Sequence, residues 1–318
     1  MSAGVWLQAV LSGLSVGAVY GLVALGFTVL AGLARVYQLA HGDLVVAAVL
    51  GAVLVIVGRT PVAVDLGPGG SLGLVAVALA IGAGLSYVVF QLAVRPALRR
   101  ADPVAWVAGT VAAGLLLRET LGLLLPEQGY AVPDPLRLDR LTSTGVISLP
   151  GGGSLPVRSL GVLAVGLAVG LLVDRLVISS ARGRALRAVT DDPDAARLSG
   201  VPVERVVVFG VLLAGVLAAL AGLLDAPSHP VSASSGVVLG LKGIAAALIG
   251  RIGSVRGAMV GGLVLGVIEQ VAVAAPGPGP AWQDVLPLAV LVAILALRPA
   301  GLDLRWRRAQ IAAPDGPA

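Results

Sequence analysis

The sequence predicts an all-α, polytopic membrane protein: a single domain over residues 1–318 with about eight or nine transmembrane or re-entrant helices. Hydrophobic residues make up 57% of the 318-residue chain and charged residues only 12%, whereas soluble domains carry roughly 25% charged residues. The apolar residues also occur in long runs, which indicates helices rather than the alternating strands of a β-barrel. A water-soluble globule, a disordered chain and a nucleic-acid-binding module are excluded.

Nine apolar runs approach or reach the roughly 20 residues that a transmembrane helix needs. The six long runs cover residues 5–33, 72–94, 104–125, 160–178, 206–224 and 255–275. We interpret the three shorter runs as spans with polar ends or as re-entrant half-helices shielded by protein. These shorter runs cover residues 44–57, 236–249 and 285–297. Glycine and proline between the runs predict loops, of which 126–158 is the longest.

The distribution of basic residues predicts the orientation. The loops at 95–103, 179–205 and 251–256 and the tail from residue 298 hold 14 of the 22 basic residues, against 4 in the opposite loops. Because cytoplasmic loops carry an excess of Lys and Arg, we expect these segments and the C-terminus to be cytoplasmic and the 126–158 loop to be external. The predicted location is the plasma or inner membrane, where the arginines meet lipid rather than nucleic acid.

Glycine, with 44 residues, indicates closely packed helices. Gly13, Gly17 and Gly21 share one helix face, and Gly257 and Gly261 begin a second stripe. Small residues let membrane helices approach closely, since lipid provides no hydrophobic force between them. We expect these glycines to pack helices together. The alternative is that they mark a helix that shifts during a working cycle.

Several kinds of enzyme are excluded by missing residue types. The chain has no cysteine and only two histidines, which argues against a thiol nucleophile and a multi-histidine metal site. Its single lysine does not stand in a nucleotide-binding G-x-x-x-x-G-K-[ST] loop, and a G-x-S-x-G nucleophile motif is missing. We therefore predict a transport protein without metal or cofactor rather than an enzyme.

The most polar stretch, residues 179–205, predicts a short capped helix between two spans. An aspartate cap, an early proline and further acids form a helix-start signature, two alanines favour its continuation, and a glycine ends it. The residues that carry this prediction are Asp191, Asp192, Asp194, Ala195, Ala196 and Gly200. A plain solvated connection is the alternative interpretation.

Three segments resemble known permeases. Residues 194–200 (Asp-Ala-Ala-Arg-Leu-Ser-Gly) are similar to the E-A-A-x-x-x-G loop of ABC-importer permeases, with Asp194 in place of glutamate. Residues 13–26 with 35–43 resemble the N-terminal signature of branched-chain amino-acid transporter permeases, and residues 243–266 resemble that family's later glycine-rich signature. The chain is thereby identified as a member of that family.

This resemblance implies a membrane-spanning importer subunit that is driven by other proteins. The implied partners are two cytoplasmic ABC ATPases, a second related permease subunit and an external solute-binding protein. The segment 179–205 would supply the coupling helix that sits in a groove of an ATPase. The implied cargo is branched-chain or related amino acids, with urea, amides and other small solutes as alternatives. A stand-alone secondary transporter or channel is the rival of another class.

Ionisable residues within the apolar runs are candidates for the translocation pathway, because such residues are costly in a membrane. The candidates are His41, Asp43, Asp225, Lys242 and Glu269. The structural alternatives are a helix cap and interfacial anchor for the first two, interfacial groups for Asp225 and Glu269, and a pair with a buried acid for Lys242.

Overall fold

The computed structural model describes residues 2–34, 38–58, 66–96, 103–125, 129–137, 145–149, 152–276, 279 and 282–297. The tail from residue 298, residues 35–37 and several loop residues lie outside this description. The prediction of a cytoplasmic C-terminus falls on these undescribed residues. Parts of the N-terminal signature and of the 126–158 loop also lie among them.

Helices dominate the described chain, which confirms the predicted fold class. They are α1 (Ala3–Ala34), α2 (His41–Ile56), α3 (Pro68–Val89), α4 (Pro103–Leu124), α5 (Val157–Ser179), α6 (Ala181–Asp191), α7 (Pro193–Leu198), α8 (Val203–Asp225), α9 (Ser235–Ile249), α10 (Val255–Ala274) and α11 (Trp282–Leu297). A π-helical turn, Phe90–Val94, continues α3, and a 3-10 turn, Ala226–Ser228, extends α8.

Six of these helices are long and apolar enough to cross a membrane: α1, α3, α4, α5, α8 and α10. The apolar helices α2, α9 and α11 are shorter, at 16, 15 and 16 residues. This division matches the six long and three short runs of the sequence, and the chain is a multi-pass membrane protein.

Two features of the loops were not predicted. Strands β1 (Val146–Leu149) and β2 (Gly153–Pro156) form an antiparallel hairpin within the 126–158 loop. The 179–205 segment contains α6 in addition to the expected short helix. Helix α6 is amphipathic, because Leu186 and Val189 are buried while Arg182 is exposed. Asp191 is therefore the last residue of α6 and does not belong to the start of α7, which corrects the predicted helix-start signature.

The loop elements define two opposite ends of the bundle. The 23 residues of α5 join β2 to α6, which separates them by about 34 Å at 1.5 Å per residue. We call the end with β1 and β2 the hairpin face and the end with α6 and α7 the helix-pair face. Helix α8 returns from the helix-pair face to the hairpin face.

The crossing of α1 and α10 is the most extensive helix–helix contact of the described chain, and it is made by glycines. A Cβ atom on Gly13 would lie 2.7 Å from the Cα of Val267, and one on Gly17 would lie 2.7 Å from the Cα of Leu263. Across the contact, Gly262 and Gly266 face the backbone of α1. A side chain at these positions would force the two backbones apart.

The two glycine stripes, one on α1 and one beginning at Gly257 on α10, take part in different helix–helix contacts. Gly21 packs on Met259 of α10, whereas Gly257 and Gly261 face the end of α9, where both approach Gly250. The second stripe therefore joins α10 to α9, while its neighbours at 262 and 266 join α10 to α1. One helix thus holds two others at backbone distance by using different faces.

Helix α2 begins inside the bundle. The side chain of His41 is wholly buried, where it meets Gly26 and the ring of Phe27, with ring centroids 4.7 Å apart. Gly26 lies eight residues before the end of α1, or about 12 Å along its axis. Ala40 occupies the N-cap position and no side chain caps the helix. The interpretation of His41 as a cap and interfacial anchor is therefore wrong.

We predict that Gly17→Leu destabilises the protein strongly. The new side chain would collide with the backbone of α10, and overpacking of this kind costs about 1–3 kcal/mol or more. The control is Gly84→Leu on α3, where a Cβ would meet nothing within 4 Å. Thermal unfolding in lipid nanodiscs should show a large drop in midpoint for Gly17→Leu only. Equal midpoints for both variants would contradict the role assigned to the crossing.

Candidate functional site

A cavity of about 820 Å³ opens between α1, α2, α5, α8 and α9, toward the hairpin face. We call it the polar cavity. One part of its wall is aliphatic and comprises Val16, Val19, Val45, Val46, Val49 and Val162. The charged and ionisable side chains that line it are Tyr20, Arg158, Asp225, His229, Lys242 and Asp284. A membrane-embedded cavity with both kinds of wall suits a solute that has polar and aliphatic parts.

Four helices contribute to a hydrogen-bonded cluster around Lys242, the lysine of α9. Its Nζ donates to the hydroxyl of Tyr20 at 3.1 Å and to Oε1 of Glu269 at 3.3 Å, and it forms an ion pair with Oδ1 of Asp284 at 2.9 Å. Tyr20 also donates to the Glu269 carboxylate, with 2.9 Å to Oε2. The expected pair of Lys242 with a buried acid is therefore present, and that acid is Glu269.

The charged and hydrogen-bonding groups of the Lys242 cluster are paired with one another. An ammonium group has three hydrogens, and Lys242 makes two hydrogen bonds, to Tyr20 and Glu269, and one ion pair, to Asp284. Glu269 is fully buried and Lys242 nearly so, whereas the side chain of Asp284 is 63% exposed. Glu269 is thus an internal partner, and the interpretation of this residue as an interfacial group is wrong. Asp284 is the accessible member.

Two members of this cluster, Tyr20 and Asp284, were not predicted from the sequence. Neither residue stood out, because a tyrosine hydroxyl carries no formal charge and Asp284 lies in the first turn of α11, where an acid is ordinary. A usable signal for Tyr20 was its place next to Gly21 in the predicted packing stripe. The two remaining pathway candidates on α2, His41 and Asp43, are not among the residues that line the polar cavity.

Asp225 and His229 form an ion pair at the hairpin-face end of the polar cavity. Nε2 of His229 lies 3.1 Å from Oδ2 of Asp225. Asp225 is the last residue of α8, and the His229 side chain is about half exposed, as expected for a loop residue. The hydrogen bond to the Asp225 carboxylate raises the pKa of His229 above its ordinary value, although partial burial opposes this shift.

Arg158 lies in the first turn of α5, although the sequence placed it in an external loop. It is only 8% exposed. Its Nη2 donates to the carbonyl of Leu224 at 2.6 Å, and its Nη1 lies 3.5 Å from Oδ1 of Asp134. The arginine therefore joins the beginning of α5 to the end of α8, beside Asp225.

At the opposite end, α7 is capped on both sides. Oδ1 of Asp192 accepts from the backbone N–H groups of Asp194 and Ala195 at 2.9 and 3.0 Å. Beyond the helix, Gly200 adopts a φ of +81°, and the N–H of Val201 donates to the carbonyl of Ala196 at 3.0 Å. This is the glycine-ended C-cap that satisfies the last carbonyls of a helix. The capped helix predicted from the sequence is present as α7.

Helix α7 presents one buried and one exposed side. Ala196 is buried in the main core, whereas Ala195 and Leu198 face outward, and Leu198 is 91% exposed. Asp194 pairs with Arg197 across one turn at 3.0 Å. The helix-pair face therefore carries a rigid, short helix that is attached by one alanine and exposes a large aliphatic side chain.

The fold defines a helical, multi-pass membrane protein with a polar cavity between its helices. Comparisons with known proteins give the family. The description "Branched-chain amino acid transport system / permease component" matches residues 9–295, and the chain belongs to this family. This finding confirms the resemblance that the sequence carried and makes the chain a transport subunit. Permeases of this family work with ATPase and solute-binding partners.

Relatives over nearly the whole length agree with this assignment. The chain is 26% identical to the high-affinity branched-chain amino acid transport system permease protein BraD of Pseudomonas aeruginosa, over 93% of this chain and 95% of that protein. It is also 26% identical to LivH of Escherichia coli, with the same coverage. The chain is also similar to a solved "inward-facing conformation of a putative metal-chelate type ABC transporter", over 92% of this chain and 84% of that chain, at 18% identity and a TM-score of 0.49.

We predict that Asp225→Asn lowers the pKa of His229 toward its ordinary value, because the carboxylate that favours the protonated imidazole is lost. Histidine-labelled NMR in nanodiscs can follow this titration, with buried His41 as the internal reference. Since the folded pKa is raised, the pair stabilises the protein fully below the unfolded pKa of about 6.5. Its contribution is lost as the pH rises through the folded value. An unchanged His229 titration in Asp225→Asn would refute the pair.

We predict that Lys242→Met destabilises the protein by about 3–5 kcal/mol, because it leaves the buried carboxylate of Glu269 without its cation. The double variant Lys242→Met/Glu269→Leu should recover most of this loss, since it removes both charges. Denaturant unfolding in detergent micelles measures both free energies. A double variant that is no more stable than Lys242→Met would argue against the proposed pairing.

Proposed function

We propose that this permease imports branched-chain or related aliphatic amino acids and that separate ATPases drive it through α7. The observation that carries this proposal is the geometry of α7: a doubly capped helix that exposes Leu198 at the end of the bundle opposite the polar cavity. Such a helix offers a rigid, apolar contact for a partner. The cargo assignment is supported by the family and by the relatives named above.

The packing of the helix pair suggests how a movement at α7 would reach the cavity. Gly183 of α6 lies against the last turn of α5, and Ala196 of α7 is buried in the same core cluster as Val206 of α8. Helices α5 and α8 continue to the hairpin face, where they carry Arg158 and Asp225. A displacement of the helix pair would therefore shift both cavity walls, as rigid-body coupling requires.

Orientation and partners complete the proposal. The helix-pair face would be cytoplasmic, because the arginine-rich segment 179–205, which contains α6 and α7, lies there. The C-terminus would lie at the same face, on the cytoplasmic side of the inner membrane. Two cytoplasmic ATPases, a second related permease and an external solute-binding protein would complete the importer. The hairpin face would then receive the solute from outside.

Uptake into proteoliposomes tests the energy source and the cargo together. The permease is reconstituted with the ATPase, permease and solute-binding proteins of its own genome. We expect uptake of labelled leucine that requires ATP and the ATPases, and weak uptake of urea, acetamide and a monosaccharide. Uptake by the permease alone under an ion gradient would refute the ATP-driven mechanism. A clear preference for urea or another of these solutes over leucine would refute the cargo assignment.

We predict that Leu198→Glu reduces ATP-driven uptake more than tenfold, while the variant inserts into the membrane and folds normally. The substitution puts a charge into the proposed apolar contact but alters no buried group, because Leu198 is 91% exposed. Co-purification of the ATPases with the tagged permease measures the contact directly. The matched control is Ile147→Glu, an exposed aliphatic residue of the hairpin, which should retain the ATPases. Normal co-purification with Leu198→Glu would disprove the coupling role of α7.

A further inference from the structure

We propose that the polar cavity holds an amino acid as a zwitterion: the carboxylate at Arg158 and the N-terminal turn of α5, and the ammonium group at Asp225. This inference rests on the proposed function for the class of cargo. It adds the residues that distinguish an amino acid from a neutral or singly charged solute.

Arg158 provides the first part of the argument. It is nine-tenths buried and lines the polar cavity. Only Nη2 is engaged in a hydrogen bond, to Leu224, while Nε and Nη1 find no hydrogen-bond acceptor among the described residues. Nη1 has the Asp134 carboxylate nearby, at the ion-pair distance of 3.5 Å. A buried guanidinium whose Nε and Nη1 make no hydrogen bond to a described residue can donate to the two oxygens of a carboxylate.

The start of α5 adds positive potential at the same wall. Arg158 is the second residue of this 23-residue helix, and Ser159 also lines the cavity. Its first turn contains no acidic residue, and no side chain caps it. The first N–H groups of a helix and its dipole favour an anion. Two independent features therefore favour negative charge at one edge of the polar cavity.

A negatively charged residue, Asp225, directly follows the residue that Arg158 contacts. The carbonyl that Arg158 binds belongs to Leu224, and the next residue is Asp225, at the C-terminal end of α8. The C-terminal end of a helix favours a cation. Asp225 itself lines the cavity and already holds the imidazole of His229 at 3.1 Å, so a substrate ammonium group would share this carboxylate with His229 or displace it. An amino acid carries its carboxylate and ammonium on one carbon, so it needs such neighbouring groups of opposite charge. The aliphatic wall at Val16, Val19 and Val162 would receive its side chain.

Lys242 is the other buried cation of the cavity, and it is not the carboxylate site. Its ammonium group already donates hydrogen bonds to Tyr20 and Glu269 and forms an ion pair with Asp284 at 2.9 Å. Two of these three partners are carboxylates, which would repel an incoming anion. A substrate carboxylate would have to compete with two carboxylates at Lys242. At Arg158 it would compete with one, Asp134, at 3.5 Å from Nη1, and it would meet two nitrogens, Nε and Nη1, that make no hydrogen bond to a described residue. We therefore assign the site of the substrate carboxylate to Arg158 rather than to Lys242.

Saturation-transfer NMR tests the proposal on the full chain in lipid nanodiscs, with no ATPase or solute-binding protein present. The probes are L-leucine, isocaproate (leucine without its amine), isoamylamine (leucine without its carboxylate) and uncharged isocaproamide, at millimolar concentration. In the wild type we expect leucine to bind best and isocaproate to bind better than isocaproamide. This comparison needs no variant. Equal binding of isocaproate and isocaproamide would overturn the carboxylate site.

Variants then assign the charges. Arg158→Gln should weaken binding of leucine and isocaproate about tenfold and leave isoamylamine unchanged. Asp225→Asn should weaken leucine and isoamylamine and leave isocaproate unchanged. Arg158→Lys, which keeps the charge, should restore part of the isocaproate binding. A purely structural role would change all probes alike, and that outcome would refute the assignment.

The matched control is Arg118→Gln on α4, which removes an arginine that does not line the polar cavity. It should leave the binding of every probe unchanged, and an effect as large as that of Arg158→Gln would overturn the specific role of Arg158. Binding in nanodiscs does not depend on ATP-driven uptake. Selective binding without ATP-driven leucine uptake would refute the proposed function alone. Uptake without a response to Arg158→Gln would refute this inference alone.

Discussion

The close approach of α1 and α10 is the constraint on which the rest of the structure depends. Glycine on both sides of this crossing brings the backbones together, and Tyr20 stands beside Gly21 on one helix while Glu269 stands one turn beyond Gly266 on the other. The hydroxyl therefore reaches the carboxylate, and Lys242 from α9 can join them. Without this proximity, a fully buried glutamate would lack the partners that make its burial tolerable.

The polar and charged groups in and beside the polar cavity differ in whether other groups of the protein already pair with them. Lys242, Tyr20 and Glu269 satisfy one another and tie α1, α9 and α10 together, so their main effect is structural. Arg158 and Asp225 are attached to the ends of α5 and α8, and their positions change if either helix moves. In the proposed import, the first group of charges would hold the bundle together, and Arg158 and Asp225 would meet the solute.

The geometry of α5 and α8 links the two ends of the molecule. Both helices connect directly to the α6–α7 pair at one face and to the charged wall of the cavity at the other. Such a site would suit a permease if it bound the solute weakly, because tight binding would retain the solute. Movement of α5 relative to α8 would separate the positive from the negative half of such a site and release its contents, which would connect the proposed coupling at α7 with solute passage.

The sequence by itself determined the class of protein, the six long and three short helices, the capped helix α7 and the family, because these follow from local patterns: apolar length, capping residues and contiguous motifs. It also marked Lys242 and Glu269 as costly residues. Only the tertiary structure decided that these two pair through Tyr20, that His41 is buried inside the bundle and that Arg158 belongs to a cavity wall. Those contacts join residues that are far apart in the chain, and helix periodicity specifies the faces of a helix but not its neighbours.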